Sequence, residues 1–275
     1  RDRSVSRGLG DVYKRQIVER MKLFQPDEIL YVVDKRQELH FIQVFRCARK
    51  TGLVKEDTRL SFLGFGTMNG KDGKPFKTRE GGVMRLENLI ADIDEEMFTK
   101  IVENRSVRDK DARDTAKIVG LAAIKYGDLS NQATKDYIFD VDRFTSFEGN
   151  TGPYILYTIV RIKSILNRYV EAGGNLEAGE ILPASNGSEK NLMLQLSGFA
   201  AMVENAFEEK APHKICAYIY EVSNAFNSFY HETKILSEED QAQKESFLQL
   251  LQLTRRVLET SIDPVSYTHL TLPTT

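Results

Sequence analysis

The chain has 275 residues, 41% of them hydrophobic and 28% charged, with a net charge of -2. This is the composition of a soluble globular protein long enough for two domains, and the near-neutral balance excludes nucleic-acid binding driven by the overall field; such a partner would need a local patch. No run of about 18 apolar residues argues for a membrane-spanning helix, and the two distant cysteines, Cys47 and Cys216, form neither a disulfide framework nor a metal spacing, which fits buried thiols in a reducing cytoplasm.

In chain order, residues 1–16 come first, with no apolar period and no helix cap. They pair with a Thr-rich stretch, 264–275, at the other end. "DVYKRQ" and "VSYTHL" can be written from one DNA word in opposite orientations. Both ends therefore read as translated sequencing adapter, set outside the fold, and the span between them is expected to be a piece of a longer protein.

"EILYVVD" is a short apolar run, Ile29 to Val33, that predicts a strand buried on both faces of a parallel sheet. "RQELHFIQVFRCARKTG" predicts a helix. Leu39, Ile42 and Phe45 recur at three-residue steps with Phe41, Val44 and Ala48 beside them, and Gly52 stops it. "RLSFLGFG" predicts a second strand. Strand, helix, strand is an α/β unit, whose ligands bind at the carboxyl ends of the strands, where Asp34, Gln37 and His40 fall.

The second strand runs into "GKDGKPFKTREGG", Gly70 to Gly82. Its glycines permit close backbone approach. Lys71, Lys74, Lys77 and Arg79 suit phosphate, although the spacing is not that of a P-loop. From about Met84 the pattern is helical. In "PYILYTIVRIKSILNRYVEAGG", Ile155, Ile159, Ile162, Leu166, Tyr169 and Val170 share one face. Tyr154, Tyr157, Arg161 and Arg168 share the opposite one, and tyrosines alternating with guanidinium groups can stack bases and hold phosphates. Three further helices are predicted. The first starts at Ser188, the second carries Ile215, Ile219, Val222 and Phe226, and the third opens on a capping box of Ser237 and Asp240. Together they predict a helical bundle.

Four segments in order, "YVVDKRQELHFIQVF", "GKDGKPFKTREGG", "DYIFDVDRFTSFEGNTGPYILY" and "HKICAYIYEVSNAFNSFY", resemble the C-terminal half of arginyl-tRNA synthetase, a class I aminoacyl-tRNA synthetase. The resemblance implies α/β plus all-α architecture: the C-terminal part of a Rossmann-type catalytic domain at 17–136, then a helical-bundle anticodon-binding domain at 137–263. It implies ATP-dependent activation of L-arginine and its transfer to tRNA(Arg), with Mg2+ accompanying ATP, in a cytoplasmic monomer with no membrane partner. "KPFKT" stands in the place of the family's KMSKS signature, which gives Lys74 and Lys77 a catalytic role on the ATP phosphates, assisted by Lys71. His40, Phe65, Gly66 and Met68 match the adenosine side of the ATP site, and Gln37 the arginine pocket. Tyr154, Tyr157, Arg161 and Tyr230 match positions facing the tRNA, while Glu148 and Asn150 match a turn and a helix start. No metal-ligating residues are implied.

The family's HIGH signature lies upstream in its members and is not found in this sequence. An arginine–tRNA ligase fragment is the leading reading, a non-catalytic tRNA-binding module the alternative, and a protein-binding bundle a third. The chain alone is accordingly expected to give no arginine-dependent ATP–pyrophosphate exchange. Exchange above an enzyme-free control would refute that expectation.

Overall fold

The computed structural model describes residues 5–71, 73, 86–103 and 109–266. They fall into two compact units, one within Arg1–Pro75 and Ala133–Phe139, the other within Phe76–Gln132 and Asp140–Thr275.

In chain order the elements are α1 (Val5–Phe24), β1 (Glu28–Asp34), a 3-10 turn (Lys35–Gln37), α2 (Glu38–Lys50), β2 (Arg59–Phe65) and β3 (Met68–Asn69). Then come α3 (Leu86–Glu103), α4 (Asp109–Leu129), β4 (Tyr137–Ile138), α5 (Val141–Phe144), α6 (Gly152–Glu171) and α7 (Gly187–Ser197). The last are α8 (Phe199–Glu208), α9 (Pro212–Glu232), a 3-10 turn (Ile235–Ser237) and α10 (Gln241–Ser266).

β1 and β2 pair in parallel, from Glu28 opposite Arg59 to Asp34 opposite Phe65. The expected α/β unit is present, because a parallel pair needs a crossover and α2 supplies it. Its core is aromatic. The Phe41 ring lies 4.7 Å from Tyr13, 4.9 Å from Tyr31 and 5.6 Å from Phe62, centroid to centroid. Tilted and edge-on pairs of this kind contribute about 0.5–1.5 kcal/mol each beyond their buried area. Arg49 closes the crossover by donating to the carbonyl oxygens of Lys55 and Thr58.

Three expectations change here. Only one face of β1 is covered: Ile29 and Tyr31 are buried, whereas Val32 is 55% exposed. On α2 the buried stripe is Phe41, Val44 and Ala48, and Leu39, placed on the apolar face by its spacing, is 68% exposed. Cys216 is buried as expected, and burial pushes its thiol up to about 12, but Cys47 is only half-buried. α1 runs through residue 16 with Tyr13 in the aromatic cluster, and α10 continues to Ser266 with Val265 buried.

The second unit is the expected bundle. α3 pairs with α4; α4 packs on α6 and α10; α9 packs on α6, α7, α8 and α10. α6 is bounded by its own chemistry. The Thr151 side chain accepts from the Tyr154 N–H, Pro153 occupies the first turn, and Gly173, at φ +87°, ends the helix in the left-handed conformation that glycine adopts freely. Ile155, Ile159, Ile162 and Leu166 are buried as the spacing predicts, but Val170 is exposed. The helix predicted from Ser188 is two, α7 and α8, broken at Gly198 and capped by Asn186. α10 is capped by Asp240, which accepts from the N–H groups of Ala242 and Gln243, and Ser237 belongs to the preceding turn.

Tyr126 fastens the bundle centre. Its ring is fully buried, and its hydroxyl lies 2.5 Å from Asn150 Oδ1 and 2.8 Å from the Cys216 carbonyl oxygen. One proton serves one acceptor at a time, so the pair shares it. Burial raises the phenol well above its ordinary value and keeps it a neutral donor. Tyr126→Phe leaves buried acceptors without a donor and should cost about 1–3 kcal/mol, read as a lower urea midpoint at unchanged m-value.

Candidate functional site

In the α/β unit the candidate residues gather where β1 and β2 end side by side. Asp34 faces Phe65 across the ladder, so the turn carrying Gln37 and the segment from Gly66 leave the sheet at one edge. The Asp34 carboxylate takes the Arg36 Nε (2.9 Å), Nη2 (2.5 Å) and backbone N–H (2.8 Å). Those hydrogen bonds hold its carboxyl down at about 2. Gln37 is exposed, and its side chain makes no capping bond to the helix it precedes. His40 is half-buried against Tyr13 and Phe41, ring to ring at 5.7 Å in both cases, and its Nε2 is buried without a partner.

The glycine of "FGTMN" has a structural reason. A Cβ on Gly66 would stand 2.2 Å from the Lys135 carbonyl oxygen, and the Gly66 N–H donates to Ala133 O at 2.7 Å. This donor is committed to the protein's own chain. Around it, Thr67 N–H donates to Asp136 Oδ1 at 2.7 Å and Lys35 Nζ to the same oxygen at 2.9 Å. β3 pairs in parallel with β4, Met68 opposite Tyr137. Sequence reasoning missed Lys35, Thr67 and Asp136, because residues so far apart carry no shared spacing signal. Phe65 and Lys71 are exposed and Met68 is half-buried; Lys74, Lys77 and Arg79 lie outside the described residues.

In the helical unit, α6 and α9 face each other with polar residues at helical spacing: Tyr154, Tyr157 and Arg161 on one, Asn224, Asn227 and Tyr230 on the other. The Arg161 guanidinium carbon sits 4.8 Å from the Tyr157 ring centroid and 5.3 Å from that of Tyr230. Its Nη1 donates to Asn227 Oδ1 at 2.6 Å. Asn227 Nδ2 donates to Tyr154 Oη at 2.8 Å, and that hydroxyl donates to Asn224 Oδ1 at 2.8 Å. Burial raises the Tyr154 phenol, so it stays protonated and able to donate. Tyr157 is 49% exposed, with Phe147 edge-on at 6.5 Å; Tyr230 stacks on buried Phe226 at 6.0 Å.

Three of the four predicted stripe residues are thus linked, Arg161 to Tyr157 directly and to Tyr154 by way of Asn227, and it is Arg161 that contacts Tyr230; Arg168 is exposed in the last turn of α6. Asn224 and Asn227 were not singled out from sequence; their three-residue step toward Tyr230 on α9 was the available signal. Among the described residues no carboxylate pairs with Arg161. A half-buried cation held between two tyrosine rings can stack an unpaired base and attract phosphate.

Residues 11–141 match the family described as tRNA synthetases class I (R), catalytic domain, and residues 155–265 match the DALR anticodon binding domain. The chain is 62% identical to an arginine–tRNA ligase of Agathobacter rectalis, over 91% of this chain and 43% of that protein. It is 57% identical to one of Alkaliphilus oremlandii, over 90% of this chain and 42% of that protein. It shares its fold with the arginyl-tRNA synthetase of Plasmodium falciparum at a TM-score of 0.78 and 23% identity, covering 94% of this chain and 43% of that one. The chain therefore spans less than half the length of the relatives it matches.

Asp136 gives this edge a pH dependence. The Thr67 N–H and Lys35 hold its carboxyl below the ordinary carboxylate value. The stabilisation is present above the unfolded value near about 3.9 and is lost as pH falls through the folded one. Amide exchange at Thr67 should therefore lose protection on acidification, and Asp136→Asn should lower that protection at neutral pH. Equal protection in the variant would remove Asp136 from this role.

Proposed function

Because the chain belongs, over the stretch it spans, to the arginyl-tRNA synthetase family, we propose that it supplies the phosphate loop and the tRNA-facing helical surface of an enzyme that activates L-arginine with ATP and transfers it to tRNA(Arg). The observation that carries the RNA side of this reading is Arg161, bracketed by Tyr157 and Tyr230 and, among the described residues, without an ion-pair partner. Their rings offer π-faces to unpaired bases, and the guanidinium offers charge to the backbone. Tyr154 joins this surface through the hydrogen bonds that hold Arg161.

On the catalytic side, Lys74 and Lys77 are assigned to the ATP phosphates, where fixed positive charge favours the charge that builds as the carboxylate of arginine attacks the α-phosphate and pyrophosphate leaves. Lys71 assists from the same loop. Gln37 is assigned to the arginine pocket. His40 and the Phe65, Gly66 and Met68 turn are assigned to the adenosine side, the Gly66 N–H excepted, since it is already spent on Ala133 O.

Mg2+ travels with the triphosphate. Among the described residues no group of three or more His, Cys, Asp or Glu is arranged to hold a metal ion. A cytoplasmic location and a monomeric state belong to the same proposal. Among the described residues no helix is long and apolar enough to cross a membrane.

Tyr157→Ala and Tyr230→Ala should each weaken binding of a tRNA(Arg) transcript by about tenfold, the loss of one stacking face. Fluorescence anisotropy at fixed salt checks this, with thermal unfolding to show that the bundle is intact. Unaltered binding in both variants would exclude this surface.

A further inference from the structure

The chain Arg161, Asn227, Tyr154, Asn224 has a direction that elementary donor and acceptor counting imposes. A guanidinium only donates, so the Asn227 atom facing it must be oxygen. The amide nitrogen of Asn227 then points at Tyr154 Oη and donates to it. The phenol oxygen has accepted once, and its single proton goes to Asn224 Oδ1. Flipping the Asn227 amide would set its N–H bonds against those of Arg161. Each link therefore fixes the next, and the relay spans two helices, with Tyr154 and Arg161 on α6 and Asn224 and Asn227 on α9.

The relay matters because Asn227 supplies the directional contact that holds the Arg161 guanidinium. Its other contacts are ring faces, which are broad and tolerate sliding, and among the described residues no carboxylate pairs with it. An acid in place of Asn227 would hold Arg161 as well but would cancel the charge the RNA needs. A neutral acceptor holds the guanidinium and leaves its charge available. We infer that Asn227 is a positioning residue for RNA recognition: its Oδ1 fixes Arg161 between Tyr157 and Tyr230, and Tyr154 fixes Asn227. This rests on the tRNA-facing reading of the surface and adds to it a residue that need not touch RNA.

The test is a double-mutant cycle in the whole chain, with a tRNA(Arg) transcript as probe and thermal unfolding in parallel. Asn227→Leu keeps the branched outline of the side chain and removes the acceptor. It should weaken binding about tenfold in the wild-type background and less than about twofold when Arg161→Ala is already present, because its effect passes through that side chain. Should Asn227→Leu fail to fold, the cycle of Tyr154→Phe with Arg161→Ala takes its place, since Tyr154→Phe removes the oxygen that orients the Asn227 amide; the same pattern, smaller, is expected. Equal losses in both backgrounds would overturn the inference. So would an Asn227→Leu protein that binds normally while Arg161→Ala does not, and this outcome leaves the tRNA reading standing. If Arg161→Ala itself binds normally, both fall.

Discussion

The two-residue parallel pairing of β3 with β4 is the contact on which the chain's organisation depends. Parallel strands cannot be joined by a tight turn, and in sequence α3 and α4 fall between β3 and β4. So short a ladder has little strength of its own. It is held by the Gly66 N–H on Ala133 O, the Thr67 N–H on Asp136, and Lys35 reaching Asp136 from the end of β1. The residue at 66 must therefore be glycine for a reason unrelated to any ligand: the returning backbone occupies the space where a Cβ would stand. Glycines in a candidate binding loop invite a functional explanation, and one of these is explained by self-contact alone.

Much of the fold could be read from local pattern. The apolar run of β1, the period of α2 and the Pro153-to-Gly173 bracket of α6 are signals confined to a few turns of chain, and the structure follows each. The misreadings share a cause. An apolar run was taken to mean burial on both faces, but periodicity reports chemical character and not coverage, and Leu30 and Val32 are exposed. Leu39 was placed in the core because it keeps a three-residue step; it stands one turn too early, where α2 emerges from the Lys35–Gln37 turn. Gly198 was passed over because an isolated glycine inside a helical pattern is as compatible with continuation as with a break.

The candidate site was legible in part, and the boundary between the visible and hidden parts is instructive. Tyr154, Tyr157 and Arg161 lie on one helix, so 100° per residue is enough to gather them. Their partners on α9 are more than 60 residues away, at Asn224 and Asn227. Asparagine is common in loops and at caps, so two of them inside a predicted helix carry no functional mark until the opposing helix is placed. Once it is, the same two residues satisfy a phenol and a guanidinium with no donor facing a donor.

Electrostatics gives this arrangement its logic. A chain of net charge -2 has no overall field with which to gather a polyanion from solution, so under the proposed function affinity would come from local cations kept unneutralised at short range. Several cations elsewhere in the helical unit are paired with carboxylates: Lys163 with Glu259 at 2.7 Å, Lys214 with Glu209 at 2.6 Å, Lys100 with Glu96 at 3.2 Å. Arg161 differs from these, with an amide oxygen and two aromatic faces as its contacts. An arginine so placed bears the cost of partial burial without the return of an ion pair. The amide oxygen and the two rings satisfy the guanidinium without neutralising it, and the proposed RNA-facing role of the surface rests on that retained charge.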